Sequence, residues 1–348
     1  MKLGVIPENL LERLLLAIKL VPTPIFDTQV AFMLARTVMA GTKLGIFQAL
    51  APEPLTAAEI AAQCKTDLSA TIKLLNALVG AGYLHNKKER YFLTPVARKW
   101  LLKDSPQSIY DKMMFHYTEW EWTANYEAYV RTGKPLQIHN MLSDEAWGVY
   151  QRGMRAIVGF QAREVVWRTP MPKNARKMLD IGGSHGYFSV AFCCRYPDLH
   201  AVVLDIPEAV KHAAPILAKE GMGDRVVHRV GNALTDDLGT DAWDLVFISQ
   251  LVHHFDDATN RDLVRRAARA LRPGGILAIQ DALLPSAGKD AALALLADLY
   301  LANTSQSGSK SLQEIADWQR AAGLVPRRPV RFRSLPGFGQ QSALKPAR

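Results

Sequence analysis

The stretch Lys177–Gly186, with the sequence KMLDIGGSHG, constrains the fold more than any other part of the chain. Its first residues form a short apolar run typical of a buried strand, and the residues after Gly186 continue as an apolar helix. Gly182 and Gly183 can adopt positive φ and let a ligand approach the backbone closely. The helix would direct its free N–H groups at that ligand. The stretch therefore predicts a strand, a glycine turn and a helix that form a ligand site.

A second apolar run, His200–Ile206, begins shortly after Pro197 and predicts another buried strand with Asp205 at its end. Nucleotide-binding sheets place a carboxylate here to accept hydrogen bonds from ribose hydroxyls. Asp205 could instead cap the helix that begins near Pro207. The position therefore favours a nucleotide-like ligand without excluding a structural role.

The last half of the chain alternates strands and helices. Strands are predicted near 177–181, 200–206, 226–230, 243–249 and 275–282. Apolar strands that alternate with helices are typical of a parallel, doubly wound, Rossmann-like α/β sheet. Such sheets bind ligands at the carboxyl ends of their strands. The polar residues predicted at that edge are Asp205, Asn232, Ser249 and His253.

Four motifs in this order and spacing resemble the S-adenosylmethionine-dependent O-methyltransferases of the plant phenolic and bacterial secondary-metabolite type. They are LDIGGSHG at 179–186, VLDIP at 203–207, HHFDD at 253–257 and LRPGGIL at 271–277. The resemblance implies a Rossmann-like methyltransferase domain preceded by an α-helical winged-helix dimerisation domain. It also implies S-adenosylmethionine as cofactor, a small hydroxylated acceptor that is aromatic or polyketide-like, and a homodimer.

The resemblance implies cofactor-binding residues at the carboxyl edge of the sheet. They are Gly182, Gly183, Asp205, Ile206, Asn232, Ala233 and Ser249. Three positions depart from the family pattern, because Ser184 replaces the middle glycine, Asn232 replaces an aspartate and Ser249 replaces a lysine that is common in plant members. The Asn232 amide can still form hydrogen bonds, so we expect the cofactor to bind.

His253 matches the general base of this family. A histidine near neutral pKa can take the proton of a hydroxyl as methyl transfer proceeds. The family also implies a carboxylate that orients the imidazole, which Asp298 matches, so the catalytic pair is predicted as His253 and Asp298. A second family carboxylate is missing, since no Asp or Glu occurs after Asp317. His253 could alternatively be a structural histidine. Adjacent side chains at the start of a helix are expected to point in different directions, so His254 and His253 are not expected to face the acceptor together.

The segment 105–170 is predicted to be helical and is rich in aromatic residues, which more often form core than pocket. Tyr150 and Met154 are four residues apart and share a helix face. They resemble a segment that lines the acceptor pocket in the family, and a flat ring and a thioether suit an aromatic acceptor. The predicted acceptor-binding residues are Tyr150, Met154, Phe160 and His254.

The N-terminal part predicts a winged helix, with three helices followed by a hairpin around residues 83–94. A winged helix often binds DNA, but the presumed recognition helix 68–79 carries only Lys73 as a positive charge, whereas phosphate contacts need several cations. We therefore expect dimerisation and no nucleic-acid partner. The predicted domains are 1–104 (winged-helix dimerisation), 105–170 (helical linker contributing to the acceptor pocket) and 171–348 (cofactor-binding catalytic domain).

Composition sets further bounds. With 49% hydrophobic and 22% charged residues, the chain can form a large core. The basic residues behind the net charge of +9 are spread along the chain, and their densest cluster is Arg327, Arg328, Arg331 and Arg333. Total charge without a larger patch does not indicate nucleic-acid binding. Three cysteines without ligand spacing indicate reduced thiols, a cytoplasmic location and no metal. No signal peptide or membrane-spanning run is recognised.

Three alternatives remain open from the sequence. A diverged relative could bind the same cofactor and catalyse N- or C-methylation, or a non-methylating decarboxylation or hydroxylation. A nicotinamide dehydrogenase could use a similar sheet, although it predicts a middle glycine where Ser184 stands. A DNA-binding regulator could use the winged helix.

Overall fold

The computed structural model describes residues 4–285 and 292–347. It divides the chain into two compact units, Met1–Tyr117 and Thr118–Arg348. The boundary lies inside the segment 105–170 that the sequence set apart as a linker. The part of this segment up to Tyr117 belongs to the first unit and the rest to the second.

The first unit is mostly helical. Its helices are α1 (Leu10–Ala17), α2 (Thr23–Ile25), α3 (Ala31–Lys43), α4 (Ile46–Ala49), α5 (Ala57–Cys64), α6 (Leu68–Gly80) and α7 (Pro95–Trp100), and a π-helical turn (Phe26–Val30) joins α2 to α3. Polar side chains cap the first turn of several of these helices. Thr56 and Glu59 form a capping box at α5, and Asp67 accepts a hydrogen bond from Ala70 N at α6.

A three-stranded antiparallel sheet completes the first unit. Its strands are β1 (Leu55–Thr56), β2 (Leu84–Lys87) and β3 (Arg90–Leu93), in the order β1-β3-β2. Lys88 and Glu89 connect β2 to β3 with φ values of 51° and 61°, as a two-residue hairpin turn requires. The predicted helices and hairpin wing are confirmed, and α6 carries Lys73 as its only basic residue.

The second unit combines helices with one large sheet. Its helices are α8 (Tyr110–Thr123, which begins before the boundary), α9 (Tyr126–Thr132), α10 (Asp144–Arg168), α11 (Tyr187–Arg195), α12 (Pro207–Ala218), α13 (Asp257–Ala270), α14 (Ala292–Thr304) and α15 (Leu312–Ala321). Its strands are β4 (Lys177–Ile181), β5 (His200–Asp205), β6 (Val226–Val230), β7 (Trp243–Ser249), β8 (Leu271–Ala282), β9 (Val325–Pro326), β10 (Val330–Arg331) and β11 (Phe338–Leu344). Short 3-10 helices occur at Ile138–Asn140, Gly223–Arg225 and Val252–His254.

The sheet runs in the order β6-β5-β4-β7-β8-β11-β10, and β9 also pairs with β11. Strands β4 to β8 pair only in parallel with one another. Since β4 has β5 on one side and β7 on the other, the chain direction across the sheet reverses at β4. This is the switch point at which doubly wound sheets bind ligands, and the predicted fold class is confirmed.

Both faces of the sheet are buried. Alternate residues of β7 contribute to two separate hydrophobic clusters, because successive strand side chains point to opposite faces. Phe247 packs with Phe192 of α11 on one face, and Val246 packs with Leu263 of α13 on the other. Burial on both faces explains why these strands read as continuous apolar runs.

The antiparallel strand β11 was not predicted. Its centre is polar, with Gln340, Gln341 and Ser342 all buried, and such residues do not signal a strand. Long-range hydrogen bonds satisfy them, including Thr169 Oγ1 to Gln340 Oε1 at 3.0 Å and Gln341 Nε2 to the Arg327 carbonyl at 2.8 Å. The strand therefore depends on tertiary partners that the local sequence does not reveal.

Helix α10, at 25 residues, is the longest helix described and carries seven charged residues. Within residues 4–285 and 292–347, no helix is both long and apolar enough to cross a membrane.

Candidate active site

The glycine turn after β4 adopts the left-handed backbone that its sequence predicts. Gly182 has φ 65° and Gly186 has φ 75°, values that favour glycine. Gly182 N donates to the Leu204 carbonyl at 2.8 Å, which ties the turn to β5. A Cβ at Gly182 would lie 2.9 Å from Leu251 Cδ2, so both conformation and space require glycine here.

Gly183 is needed for packing on the sheet. A Cβ at this position would lie 2.6 Å from Asp180 Cγ and 2.7 Å from Val203 Cγ1. Asp180 is fully buried, accepts a hydrogen bond from Ser189 Oγ at 2.7 Å, and burial raises its pKa to about 7. The second glycine thus lets the turn lie directly on β4 and β5.

Ser184 links the turn to three other elements. Its backbone N donates to Asp205 Oδ2 at 2.8 Å, its Oγ donates to Gln151 Oε1 of α10 at 2.5 Å, and its carbonyl accepts a hydrogen bond from His228 Nε2 at 2.8 Å. Ser184 has φ 54°, a conformation that costs a non-glycine residue energy. The hydroxyl that departs from the family pattern therefore forms a contact with the helix that carries Tyr150.

Asp205 lies at the carboxyl end of β5 with both oxygens facing backbone donors. Oδ2 accepts from Ser184 N, and Oδ1 accepts from Ile206 N at 2.8 Å. Burial raises the pKa of Asp205 to about 6, and these hydrogen bonds oppose the shift. Helix α12 begins at Pro207 with Ile206 as its cap residue and without a side-chain cap. The alternative that Asp205 caps this helix is therefore wrong.

The remaining predicted cofactor residues lie beyond β6 and at the end of β7. Asn232 Oδ1 accepts from Leu234 N at 2.9 Å, and Ala233 follows it in the same turn. Ser249 is buried and its Oγ accepts a hydrogen bond from Gln280 Nε2. The sheet thus brings these positions to the same edge as the glycine turn and Asp205.

His253 and Asp281 form a buried pair at this edge. His253 Nδ1 lies 2.7 Å from Asp281 Oδ1, and the backbone N of His253 donates to Asp281 Oδ2 at 3.3 Å. Because a carboxylate only accepts hydrogen bonds, Nδ1 carries the proton of this contact, and in the neutral imidazole Nε2 has the lone pair. A neutral imidazole held in this way can accept a proton at Nε2.

The carboxylate that orients His253 is Asp281 rather than the predicted Asp298. Asp298 lies on α14, whereas Asp281 is the penultimate residue of β8, the strand next to β7. Nδ1 of His253 is already bonded to Asp281, so it cannot serve Asp298 as well. One sequence signal could have revealed Asp281. It is a single carboxylate at the end of an apolar strand, and that strand lies next to the strand that precedes His253.

Aromatic and imidazole rings cluster beside His253. The ring centroids of His253 and His254 are 4.1 Å apart, and those of His254 and His139 are 4.6 Å apart. The expectation that His253 and His254 point in different directions is wrong, because their rings are in contact. His139 also lies 5.3 Å from both Trp147 and Tyr150. His139 was not among the predicted site residues, since its position within an aromatic-rich segment was the one sequence feature that set it apart from other histidines.

The pKa shifts of His139, His254 and Tyr150 favour the uncharged form of each ring. Burial, with a smaller contribution from His253, lowers the pKa of His139 to about 4. Burial also lowers the pKa of His254 and raises the pKa of Tyr150. In the described ranges, no group of three or more His, Cys, Asp or Glu side chains could hold a metal ion.

The other predicted acceptor residues lie along α10. Met154 is half-buried one helical turn from Tyr150. Phe160 is 45% exposed and lies about 15 Å along the helix from Tyr150 at 1.5 Å per residue. The structure thus keeps Met154 near the ring cluster and places Phe160 farther along the helix, where its role stays a prediction.

Two family matches cover most of the chain. Residues 124–325 match the O-methyltransferase domain, and residues 26–103 match the O-methyltransferase dimerisation domain. The first match contains β4 to β8, the glycine turn, His253 and Asp281. The second contains the winged helix.

Curated relatives align over nearly their whole length. A 3-hydroxy-5-methyl-1-naphthoate 3-O-methyltransferase from Streptomyces sahachiroi is 27% identical over 335 residues, which cover 93% of this chain and 95% of that protein. Acetylserotonin O-methyltransferase from Bos taurus is 27% identical over 331 residues, covering 88% and 92%. The N,N-dimethyltransferase OxyT from Streptomyces rimosus is 24% identical over 334 residues, covering 91% and 94%.

Solved structures share the fold. The human N-acetylserotonin methyltransferase in complex with SAM has a TM-score of 0.82 at 20% identity, covering 98% of this chain and 99% of that chain. An O-methyltransferase family protein from Burkholderia thailandensis has a TM-score of 0.80 at 22% identity, covering 93% and 97%.

Proposed function

This chain belongs to the O-methyltransferase family, and we propose that it transfers a methyl group from S-adenosylmethionine to a hydroxyl group of a small aromatic or polyketide-like acceptor. The observation that carries this proposal is the hydrogen bond between His253 Nδ1 and Asp281 at the carboxyl edge of the sheet. Family membership decides against two alternatives from the sequence, the nicotinamide dehydrogenase and the DNA-binding regulator.

The residues at the carboxyl edge fit S-adenosylmethionine, which supplies an electrophilic methyl group on a positively charged sulfur. Asp205 receives two protein hydrogen bonds, and a carboxylate has about four acceptor positions, so it can also bind ribose hydroxyls. Gln250 Nε2, next to Ser249, is buried without a partner among the protein groups that the structure describes, and so has a donor to offer a ligand. The proposed cofactor residues are Gly182, Gly183, Asp205, Ile206, Asn232, Ala233 and Ser249.

His253 would act as the general base. Asp281 holds the imidazole through Nδ1, so Nε2 would take the hydroxyl proton of the acceptor. The acceptor oxygen would gain the methyl group as the bond from that group to sulfur breaks, and S-adenosylhomocysteine would leave. The buried Asp281 carboxylate would stabilise the imidazolium that forms. Most of the rate enhancement would come from holding the oxygen and the methyl carbon in near-attack geometry.

The ring cluster beside His253 supports an aromatic acceptor. Trp147, Tyr150, His139 and His254 present flat rings, and Met154 adds a deformable thioether. The relatives from Streptomyces sahachiroi and Bos taurus are named for aromatic acceptors, a naphthoate and acetylserotonin. We infer the same broad acceptor class for this chain.

N-methylation is a second candidate. The chain is 24% identical to a protein named N,N-dimethyltransferase. A histidine base can accept a proton from a protonated amine as well as from a hydroxyl, so the His253–Asp281 pair does not separate the two reactions. Acceptors that carry either a phenol or an aniline nitrogen would separate them.

We further propose a homodimer formed through the N-terminal unit. Residues 26–103 match the dimerisation domain, and the helices at residues 10–43 expose many large apolar side chains. The exposed residues include Leu10, Leu14, Ile18, Phe26, Phe32 and Leu34. Exposed apolar surface of this extent marks an interaction surface, and light scattering would test for a mass twice that of the 38.6 kDa chain.

Calorimetry and methyl transfer together test the proposed function. We expect wild type to bind S-adenosylmethionine and not NADH, and to transfer radiolabelled methyl groups to phenols. His253→Ala should bind the cofactor normally and lose activity. The matched control is His200→Ala, because His200 is exposed and begins β5 at the opposite edge of the sheet. Normal activity of His253→Ala would refute the base alone, whereas binding of NADH and not S-adenosylmethionine would refute the whole proposal.

A further inference from the structure

Two imidazoles beside His253 keep their hydrogen-bonding capacity for a ligand. The ring of His254 contacts His253 on one side and His139 on the other. The ring nitrogens of His139 and His254 form no hydrogen bond with any protein group in residues 4–285 and 292–347, although burial lowers the pKa of both. Both residues are only partly buried, so a molecule that binds beside His253 can reach these nitrogens and form hydrogen bonds with them.

The plane of the His139 ring is fixed by its neighbours. Trp147 stacks on it with ring planes 14° apart, and Tyr150 meets it edge-on at 85°. Trp147 and Tyr150 are themselves edge to face, with centroids 5.6 Å apart. His139 is thus held before any acceptor binds, and little side-chain freedom is lost when it forms a hydrogen bond.

We propose that His139 and His254 form a second polar subsite, the histidine subsite, which binds an uncharged hydrogen-bonding substituent on the acceptor ring. This inference rests on the proposed function, because it takes the acceptor to be the aromatic compound that His253 deprotonates. A neutral imidazole offers one donor and one acceptor nitrogen, which suits a hydroxyl, a carbonyl or a ring nitrogen. A charged carboxylate would lose its hydration and gain no opposite charge from these rings.

The position of this substituent follows from the ring distances. The centroids of His253 and His254 are 4.1 Å apart, so groups bound by the two imidazoles lie close together. The substituent therefore stands next to the reacting hydroxyl or one ring position farther, rather than across the ring. This geometry favours acceptors with neighbouring oxygens, such as vicinal diols of an aromatic ring or hydroxy ketones.

Three naphthols test the subsite, and they differ only in the group next to the hydroxyl, which is a second hydroxyl, a hydrogen or a carboxylate. The probes are 2,3-dihydroxynaphthalene, 2-naphthol and 3-hydroxy-2-naphthoate, each titrated calorimetrically into wild type with S-adenosylhomocysteine present and assayed for methyl transfer. We expect the diol to bind about five- to tenfold more tightly than 2-naphthol, the effect of one or two good hydrogen bonds. The naphthoate should bind no more tightly than 2-naphthol.

Variants of His139 and His254 test whether these two residues cause the preference for the diol over 2-naphthol. His139→Phe and His254→Phe keep a flat ring and remove the nitrogens, so each should lower the ratio of diol affinity to 2-naphthol affinity toward one. His139→Gln restores a donor and an acceptor and should recover part of the preference. Thermal unfolding checks that each variant folds.

The outcomes separate the two proposals. A diol preference that survives in the His139→Phe, His254→Phe double variant, or an equal loss of binding for both neutral probes, would overturn the histidine subsite. Failure of wild type to bind any probe would overturn it too. Binding with the expected preference but no methyl transfer would support the subsite and count against the proposed function.

Discussion

The two sides of the candidate active site are held together differently. On the cofactor side, the N, Oγ and carbonyl of Ser184 all bond to other protein groups. On the acceptor side, His139 and His254 are held by ring contacts, and their nitrogens have no partner among the protein groups that the structure describes. Protein hydrogen bonds therefore hold the glycine turn on the cofactor side, whereas His139 and His254 on the acceptor side keep theirs for the molecule that binds.

The largest expected effect is a loss of kcat. It should distinguish Asp281 from Asp298, two carboxylates that the sequence alone does not tell apart. Asp281→Asn should lower kcat about 100-fold or more, because an amide can donate to Nδ1 and favour the tautomer with the proton on Nε2. The factor by which Asp298→Asn lowers kcat should be at least ten times smaller than the factor for Asp281→Asn, since Nδ1 of His253 bonds to Asp281. Steady-state methyl transfer measures both.

Cofactor affinity is the control for this pair. Both variants should bind S-adenosylmethionine as wild type does, because the pair lies outside the proposed cofactor contacts. Equal losses of kcat in the two variants would show that Asp298 also supports the imidazole.

The rigidity of the cofactor side predicts a strong response to one added methyl group. Gly183→Ala would place a Cβ 2.6 Å from Asp180 Cγ, and such overpacking costs about 1–3 kcal/mol of unfolding free energy. Gly159→Ala is the matched control, because Gly159 lies inside α10 with no atom near an added Cβ. It should stabilise the protein by about 0.5–1 kcal/mol. Urea unfolding of both variants compares them, and a neutral Gly183→Ala would show that the turn can move away from the sheet.

The same contrast explains how far the sequence could predict this molecule. Strand β4, strand β5 and the glycine turn were predicted because a short apolar run and a glycine pair carry their own local signals. The bond from Asp281 to His253 spans 28 residues of sequence, and nothing local connects them. His139 joins the site only through side-chain packing, which periodicity does not encode. The sequence therefore encodes the glycine turn and its strands locally, whereas the contacts of His253 and His139 depend on the tertiary fold.

Cofactor binding should depend on pH through Asp205. Burial raises the pKa of this carboxyl to about 6, so it is ionised at pH 8 and becomes protonated as the pH falls through 6. The ionised form accepts hydrogen bonds from ribose hydroxyls, and protonation removes acceptor capacity. The Kd for S-adenosylmethionine should therefore rise between pH 7 and pH 5, by at most about tenfold per pH unit.

Calorimetric titrations at intervals between pH 5 and pH 8 measure this dependence. Bonds from the ribose favour the ionised form and lower the pKa of Asp205 in the complex. Asp205→Asn should bind more weakly and lose most of the pH dependence. A pH profile that is the same in wild type and Asp205→Asn would assign the titration to another group.

The contact between the two sides runs from Ser184 Oγ to Gln151 Oε1, and two substitutions of Ser184 should differ only slightly in stability. Ser184→Ala would leave the buried Gln151 oxygen unpaired, which costs about 1–3 kcal/mol, while keeping a Cβ at φ 54°. Ser184→Gly loses the same bond but relieves the strained backbone, a gain of about 1 kcal/mol. In urea unfolding, Ser184→Gly should therefore be more stable than Ser184→Ala.

The same two variants should also change substrate binding. Because Gln151 adjoins Tyr150 on α10, both should raise KM for the acceptor more than KM for the cofactor. A rise in KM for the cofactor alone would show that the turn and the acceptor wall are independent.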